Sequence, residues 1–167
     1  MLKILALDLG TKTGVARNYG PSPLETTWEL STEKEVTAWG KQRLTRRCDP
    51  RIGRLYQRLI DRRLGEPDLI VFEDVEFSTY TKQTQLWASF RTVVWLASVV
   101  RGAVIECVPV TTLKKFATGS GAADKAAMKR AMFTQFPCTS RALDDNAIDA
   151  RWILKWAEKN LSRMIFP

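Results

Sequence analysis

The sequence predicts an α/β fold: a mixed five-stranded sheet, in the order β-β-β-α-β-α-β-α-α, with helices on both faces. Three observations carry this expectation. Three short strand-like runs crowd the N-terminus with only tight turns between them. Amphipathic runs of helical period then alternate with short apolar runs of strand length. Strands that alternate with helices in this way build sheets covered on both sides.

The first run, Leu2 to Leu9, is apolar on both parities apart from Lys3 and Asp8, as a strand buried on both faces would be. Gly10 and Gly14 permit a tight turn into a second strand over 13–18. Pro21-Ser-Pro23 then turns the chain into a third strand over 25–31. Between Arg51 and Leu64, residues Ile52, Leu55, Tyr56, Leu59 and Ile60 recur at helical spacing. Gly65-Glu-Pro67 stops that helix and delivers a strand over 68–74. A helix over 82–101 and a strand over 103–108 follow. A Lys-rich stretch after Pro109 leads to helices over 122–135 and 143–161. No internal repeat or linker divides the chain, so residues 1–167 are expected to form one domain.

Composition narrows the function. Lys and Arg number 26 against 18 Asp and Glu, a net charge of +8. A basic surface favours a polyanionic partner. There is no histidine, and Cys48, Cys107 and Cys138 are odd in number and widely spaced. A disulfide framework, a zinc site and a histidine base are all disfavoured. The opening residues lack the basic-then-apolar layout of a secretory signal, so none is expected, and the apolar run 86–100 is too short to span a bilayer. A reduced compartment is expected, the cytoplasm of a bacterium or of a phage-infected cell.

Asp8 is the most informative residue. A carboxylate at the end of a strand buried on both faces costs several kcal/mol, about 1–3 or more, unless a cation meets it. Further acids end the strand 68–74, at Glu73 and Asp74, and open the last helix, at Asp144, Asp145 and Asp149. Such a set clusters hard oxygen ligands. It suits phosphodiester cleavage with two divalent cations about 3.5–4 Å apart, Mg²⁺ above all, with Mn²⁺ as a substitute. Asp145 and Asp149 continue the stripe of Trp152 and Trp156 at i, i+4, i+7 and i+11. Dipole stabilisation of about 0.3–1 kcal/mol explains acids at a helix start, but not acids on its inward face. Asp144 is read instead as a cap or a supporting group.

The element order is that of the RNase H-like superfamily. The opening L-A-L-D-L-G-T-K-T-G-V-A, the strand-end Glu73, the closing D-D-N-A-I-D-A and the stretch from Pro109 to Lys125 together resemble the RuvC family of Holliday junction resolvases. The resemblance spans almost the whole chain. It implies a crossover junction endodeoxyribonuclease active in DNA recombination and repair. Such an enzyme nicks two opposed strands of four-way or branched DNA and leaves 5′-phosphate and 3′-hydroxyl ends. It matches Asp8, Glu73 and Asp149 to the family's metal-binding acids. The fourth ligand usually stands three residues before the last Asp, where this chain has Asn146. Asp145, one turn before Asp149, is favoured for that place.

Other candidates follow. Lys125 is expected to act at the scissile phosphate, with Lys114 and Lys115 nearby on the DNA path. The resemblance implies that Phe77 and Tyr80 stack on unpaired bases; core packing is the plain alternative for Phe77. Arg47, Arg51, Arg54 and Arg58 fall at helical spacing opposite the apolar face and are expected at phosphates. The helix 82–101 is apolar on two faces, so a homodimer seam including Trp87, Phe90, Val94 or Trp95 is expected. The alternatives are a YqgF-type nuclease acting on RNA, a branched-DNA binding module that has lost catalysis, and a basic interaction protein with structural acids. The D-x-G-T turn also occurs in sugar kinases and chaperone-type ATPases, but those need two such lobes, and this chain has length for one.

Overall fold

The computed structural model describes residues 1–22, 24–41, 49–74, 81–137 and 139–161. Five strands form one sheet: β1 (Ile4–Asp8), β2 (Lys12–Arg17), β3 (Leu24–Glu29), β4 (Leu69–Asp74) and β5 (Val104–Pro109). Their order across the sheet is β3-β2-β1-β4-β5. The first three form an antiparallel meander, and β1, β4 and β5 run parallel. The expected mixed five-stranded sheet is therefore present.

Alternation along β1 and β4 divides the core. Ile4, Ala6, Leu69 and Val71 point into one apolar layer with Trp152, Ile153 and Met132. That layer is covered by α4 (Val110–Thr118), α5 (Lys125–Gln135) and α6 (Asp145–Asn160). Leu5, Leu7, Ile70 and Phe72 point the other way, into a layer with Leu55, Leu59 and Phe90. This second layer is closed by α2 (Pro50–Ile60) and α3 (Thr81–Arg101). Among the described residues no helix is long and apolar enough to cross a membrane.

Two helices go beyond the expected order. Helix α1 (Glu33–Gly40) is set by a capping box, in which Thr32 Oγ1 accepts from the Glu35 amide and the Glu35 carboxylate accepts from the Thr32 amide. The S/T-x-x-E pattern at Thr32 is its sequence signal. The Lys-rich stretch contains α4, which buries Leu113 and Ala117 and ends at Gly119 in the left-handed conformation, φ 83°. The helix expected over 51–64 stops at Ile60, because Asp61 turns extended and caps a short 3₁₀ turn over Arg62–Leu64.

The expected seam on α3 needs correction. Phe90 and Val94 are fully buried in the chain's own core, and Trp87 packs half-buried against the same layer. The outward face instead shows Trp95, Leu96, Val99 and Val100, with Val99 80% exposed. Both apolar faces of the helix exist, but only its C-terminal half presents one to the outside.

Candidate active site

The three best-supported acids converge because of strand parity and one missing side chain. Asp8 continues the Ile4–Ala6 parity and Glu73 the Leu69–Val71 parity, so both point to the α6 side of the sheet. Asp74 has the opposite parity and pairs with Arg91 on α3. Parity thus separates Glu73 from Asp74. On β2, Gly14 stands opposite Asp8. A Cβ at Gly14 would lie 1.9 Å from the Asn146 carbonyl oxygen, so only glycine lets the start of α6 settle on the sheet there. This contact brings Asp149, in the second turn of α6, to the strand ends.

The electrostatics show that the acids share one environment. Burial, then repulsion from Asp149 and Glu73, pushes Asp8 from 3.8 up to about 8. Glu73 rises to about 7 through burial and then Asp149. Asp149 rises to about 6, chiefly by burial, with Asp145 adding repulsion. Lys125 opposes all three shifts, and Lys114 opposes those of Glu73 and Asp149. Both lysines therefore face the acids, Lys125 from the N-terminal turn of α5 and Lys114 from α4.

Asp144 caps α6, accepting from the Ala147 amide at 2.9 Å, as its reading as a cap requires. It also accepts from Thr27 Oγ1 at 2.6 Å. Burial opposes ionisation of Asp144, but these hydrogen bonds outweigh it and hold its pKa low. Asp145 is exposed and lies 3.2 Å from Lys129 Nζ, while Asn146 is half-buried. Both stand in the first turn of α6.

Three carboxylates with raised pKa values lack more positive charge than two lysines supply. A divalent cation that prefers oxygen fits this donor set. Among the described residues no three acid, cysteine or histidine side chains stand grouped so that they could hold a metal ion as placed. The acids are a coupled group at a common edge.

The basic candidates separate. Lys115 and Arg58 are exposed, and Arg54 is bound to Glu35 at 2.7 Å. Arg51 departs from the expected outward face: it shares the buried stripe of α2 with Leu55 and Leu59, and Asp49 holds its guanidinium at 2.6 Å. It is an internal brace. Its signal was Asp49-Pro50, an N-cap followed by proline at the first helical position, with a basic side chain next in line to fold back on the cap. Arg47, Phe77 and Tyr80 lie outside the described residues.

No family model matches the chain, and no curated protein resembles it in sequence. Solved structures do resemble it. Thermus thermophilus RuvC in complex with a Holliday junction substrate superposes with a TM-score of 0.67 at 16% identity, over 92% of this chain and 90% of that one. A second T. thermophilus RuvC structure gives 0.61 at 16% identity, over 91% and 90%. The chain has the RuvC fold. The yeast mitochondrial Holliday junction resolvase Ydc2 matches at 0.55 and 9% identity, over 91% of this chain and 75% of that one. Within the RuvC fold, the mixed sheet puts Asp8 and Glu73 at the ends of adjacent parallel strands, with α6 across them.

Proposed function

We propose that the chain is a Mg²⁺-dependent, structure-selective endonuclease that resolves Holliday junctions or related branched DNA by paired nicks. One observation carries the reading: three half-buried, mutually repelling carboxylates at one edge of a RuvC fold, faced by two lysines. Structural acids would be satisfied by hydrogen bonds or ion pairs, as Asp144 and Asp49 are here. Asp8, Glu73 and Asp149 are not relieved in that way.

In this reading Asp8, Glu73 and Asp149 hold the cations, with Asp145 completing the set in preference to Asn146. Bound there, divalent cations would stabilise the attacking and leaving oxygens of an in-line displacement at phosphorus. Lys125 and Lys114 supply fixed positive charge at the same edge. They orient the scissile phosphate and offset the charge that builds on it in the transition state. Phosphate contacts come from the exposed Lys115 and Arg58, which position the strand without reading its sequence. A homodimer would face two such sites toward opposed strands. The apolar face of Trp95, Leu96 and Val99 offers its seam.

The test is cleavage of synthetic four-way, three-way and duplex DNA, and of an RNA duplex, with and without Mg²⁺. Paired, Mg²⁺-dependent nicks in the four-way substrate are expected. Glu73→Gln and Asp149→Asn should abolish them while keeping junction binding, because removing a negative charge does not weaken contact with phosphate. Folded variants that cut at the wild-type rate would refute the assignment. Preferential cutting of RNA would transfer the chain to the RNA-directed alternative.

A further inference from the structure

A second concavity lies at the same edge of the sheet as the acids, on the opposite face. It is a cleft of about 690 Å³ between α1 and the N-terminal turns of α2 and α3. That volume is within the range of small-molecule sites, about 300–1,000 Å³. Its rim includes Thr11, only three residues beyond Asp8, so the two Cα atoms are at most about 11 Å apart. At about 3.4 Å per nucleotide of a duplex strand, that Cα separation corresponds to no more than about three nucleotides.

We propose that this cleft receives an unpaired nucleobase of the DNA strand that crosses the acid cluster, an inference that rests on the nuclease reading above. The lining matches a base part by part. Trp39 supplies a flat aromatic wall, and Ile52 and Leu86 supply aliphatic surface for the faces of a ring. Gln83, Gln85 and Ser89 bring amides and a hydroxyl that can pair with its polar edges. A paired base has those edges engaged and is stacked on both faces, so the guest is a base released from its partner.

The site is built rather than incidental. Asp49 grips the Arg51 guanidinium from both carboxylate oxygens, at 2.9 Å to Nε and 2.6 Å to Nη2. The same guanidinium donates to Thr11 Oγ1 at 2.8 Å and lies 5.7 Å from the centre of the Trp39 ring. The aromatic wall is thereby braced by a buried ion pair tied to the loop that follows Asp8. Because Asp49 neutralises Arg51, Lys82 is the uncompensated cation among the described lining residues. Lys82, exposed at the mouth, suits a backbone phosphate.

The experiment uses the full chain and a four-way junction in EDTA. 2-Aminopurine is placed in turn at each of the first four positions on either side of the branch point. Stacking on Trp39 dims its fluorescence. One position is expected to dim strongly on binding, and the dimming should vanish in Trp39→Leu. Junction affinity should fall about tenfold with it, the effect of one lost stacking partner. Ser89→Leu, which fills the cleft without adding an aromatic group, should also abolish the dimming and covers the case in which the tryptophan variant fails to fold. Uniform fluorescence at all positions on a bound junction, dimming that survives both substitutions, or a junction that does not bind would each overturn the proposal. Cleavage of the unlabelled junction in Mg²⁺ is read in parallel. Trp39-dependent dimming without cutting would refute the nuclease reading and keep the cleft. Cutting with Trp39-independent fluorescence would do the reverse.

Discussion

Asp8→Asn should stabilise the metal-free protein at pH 8 and leave it nearly unchanged at pH 4. The unfolded chain releases the Asp8 proton near its ordinary value of 3.8, whereas the folded chain holds it until about pH 8. Between those values the native state binds more protons than the unfolded state, so stability falls as pH rises through the window. Were Asp8 to titrate alone and fully shielded, the rise would cost about 5 kcal/mol at about 1.4 kcal/mol per tenfold change in acidity. Asp8 keeps some solvent contact and shares its field with Glu73 and Asp149, so a gain on the order of 2–3 kcal/mol is expected. Asparagine keeps the size of the protonated acid and removes the charge. Urea unfolding of wild type and variant in EDTA, in half-unit steps from pH 4 to 8, reads the difference directly. Mg²⁺ added at pH 8 should raise the stability of the wild type and do much less for the variant, since binding to the native state alone stabilises it. A variant less stable than wild type at pH 8, or a gain of the same size at both ends of the range, would refute the picture of an uncompensated acid cluster.

Gly14→Ala should cost about 1–3 kcal/mol through overpacking, because its new methyl meets the Asn146 carbonyl oxygen. It should slow Mg²⁺-dependent cleavage by more than thermal melting alone accounts for, since the displaced helix carries Asp149. Asp145→Asn should reduce the Mg²⁺-dependent rate more than Asn146→Ala does, because a charged oxygen binds a hard cation better; the opposite order in a Mg²⁺ titration would give Asn146 the fourth place. Val99→Glu, on the exposed face of α3, should yield a folded monomer by light scattering and replace paired cuts by single nicks. Phe90→Glu should fail to fold as a monomer at all, because it puts a charge into a fully buried site. A wild-type monomer at micromolar concentration that still makes paired cuts would remove the dimer from the reading.

Much of the fold was legible along the chain because strand burial is a local pattern. The double apolar parity of β1 and β4 marked them as central strands, and an acid at the end of each had to be a feature of the sheet edge. Helix α6 was legible for the same reason, since Asp149, Trp152 and Trp156 share one stripe. Asp145, expected on the same inward face, is instead exposed, because from the first turn its side chain reaches Lys129 on α5 and not the sheet. The short helices were harder. Helix α1 buries no residue, so its capping box and not periodicity marks it, and α4 is nine residues long with no side-chain cap at its start, so only Gly119 marks its end. Tertiary structure alone decided matters that depend on what lies across a gap. The seam residues of α3 could not be sorted by period: a helix apolar all round looks the same from either side until the sheet claims one. Arg51 counted as surface because arginine usually is, yet Asp49 folds back on it and makes burial affordable. Trp39, from one helix, meets Gln85 and Ser89, from another, around a cleft that no spacing in the sequence announces. Glycine at position 14 reads only as a turn-rich strand until the Asn146 carbonyl is found 132 residues further along, packed where a side chain would stand. Local alternation decides which way a side chain points; only the folded chain decides what it meets there.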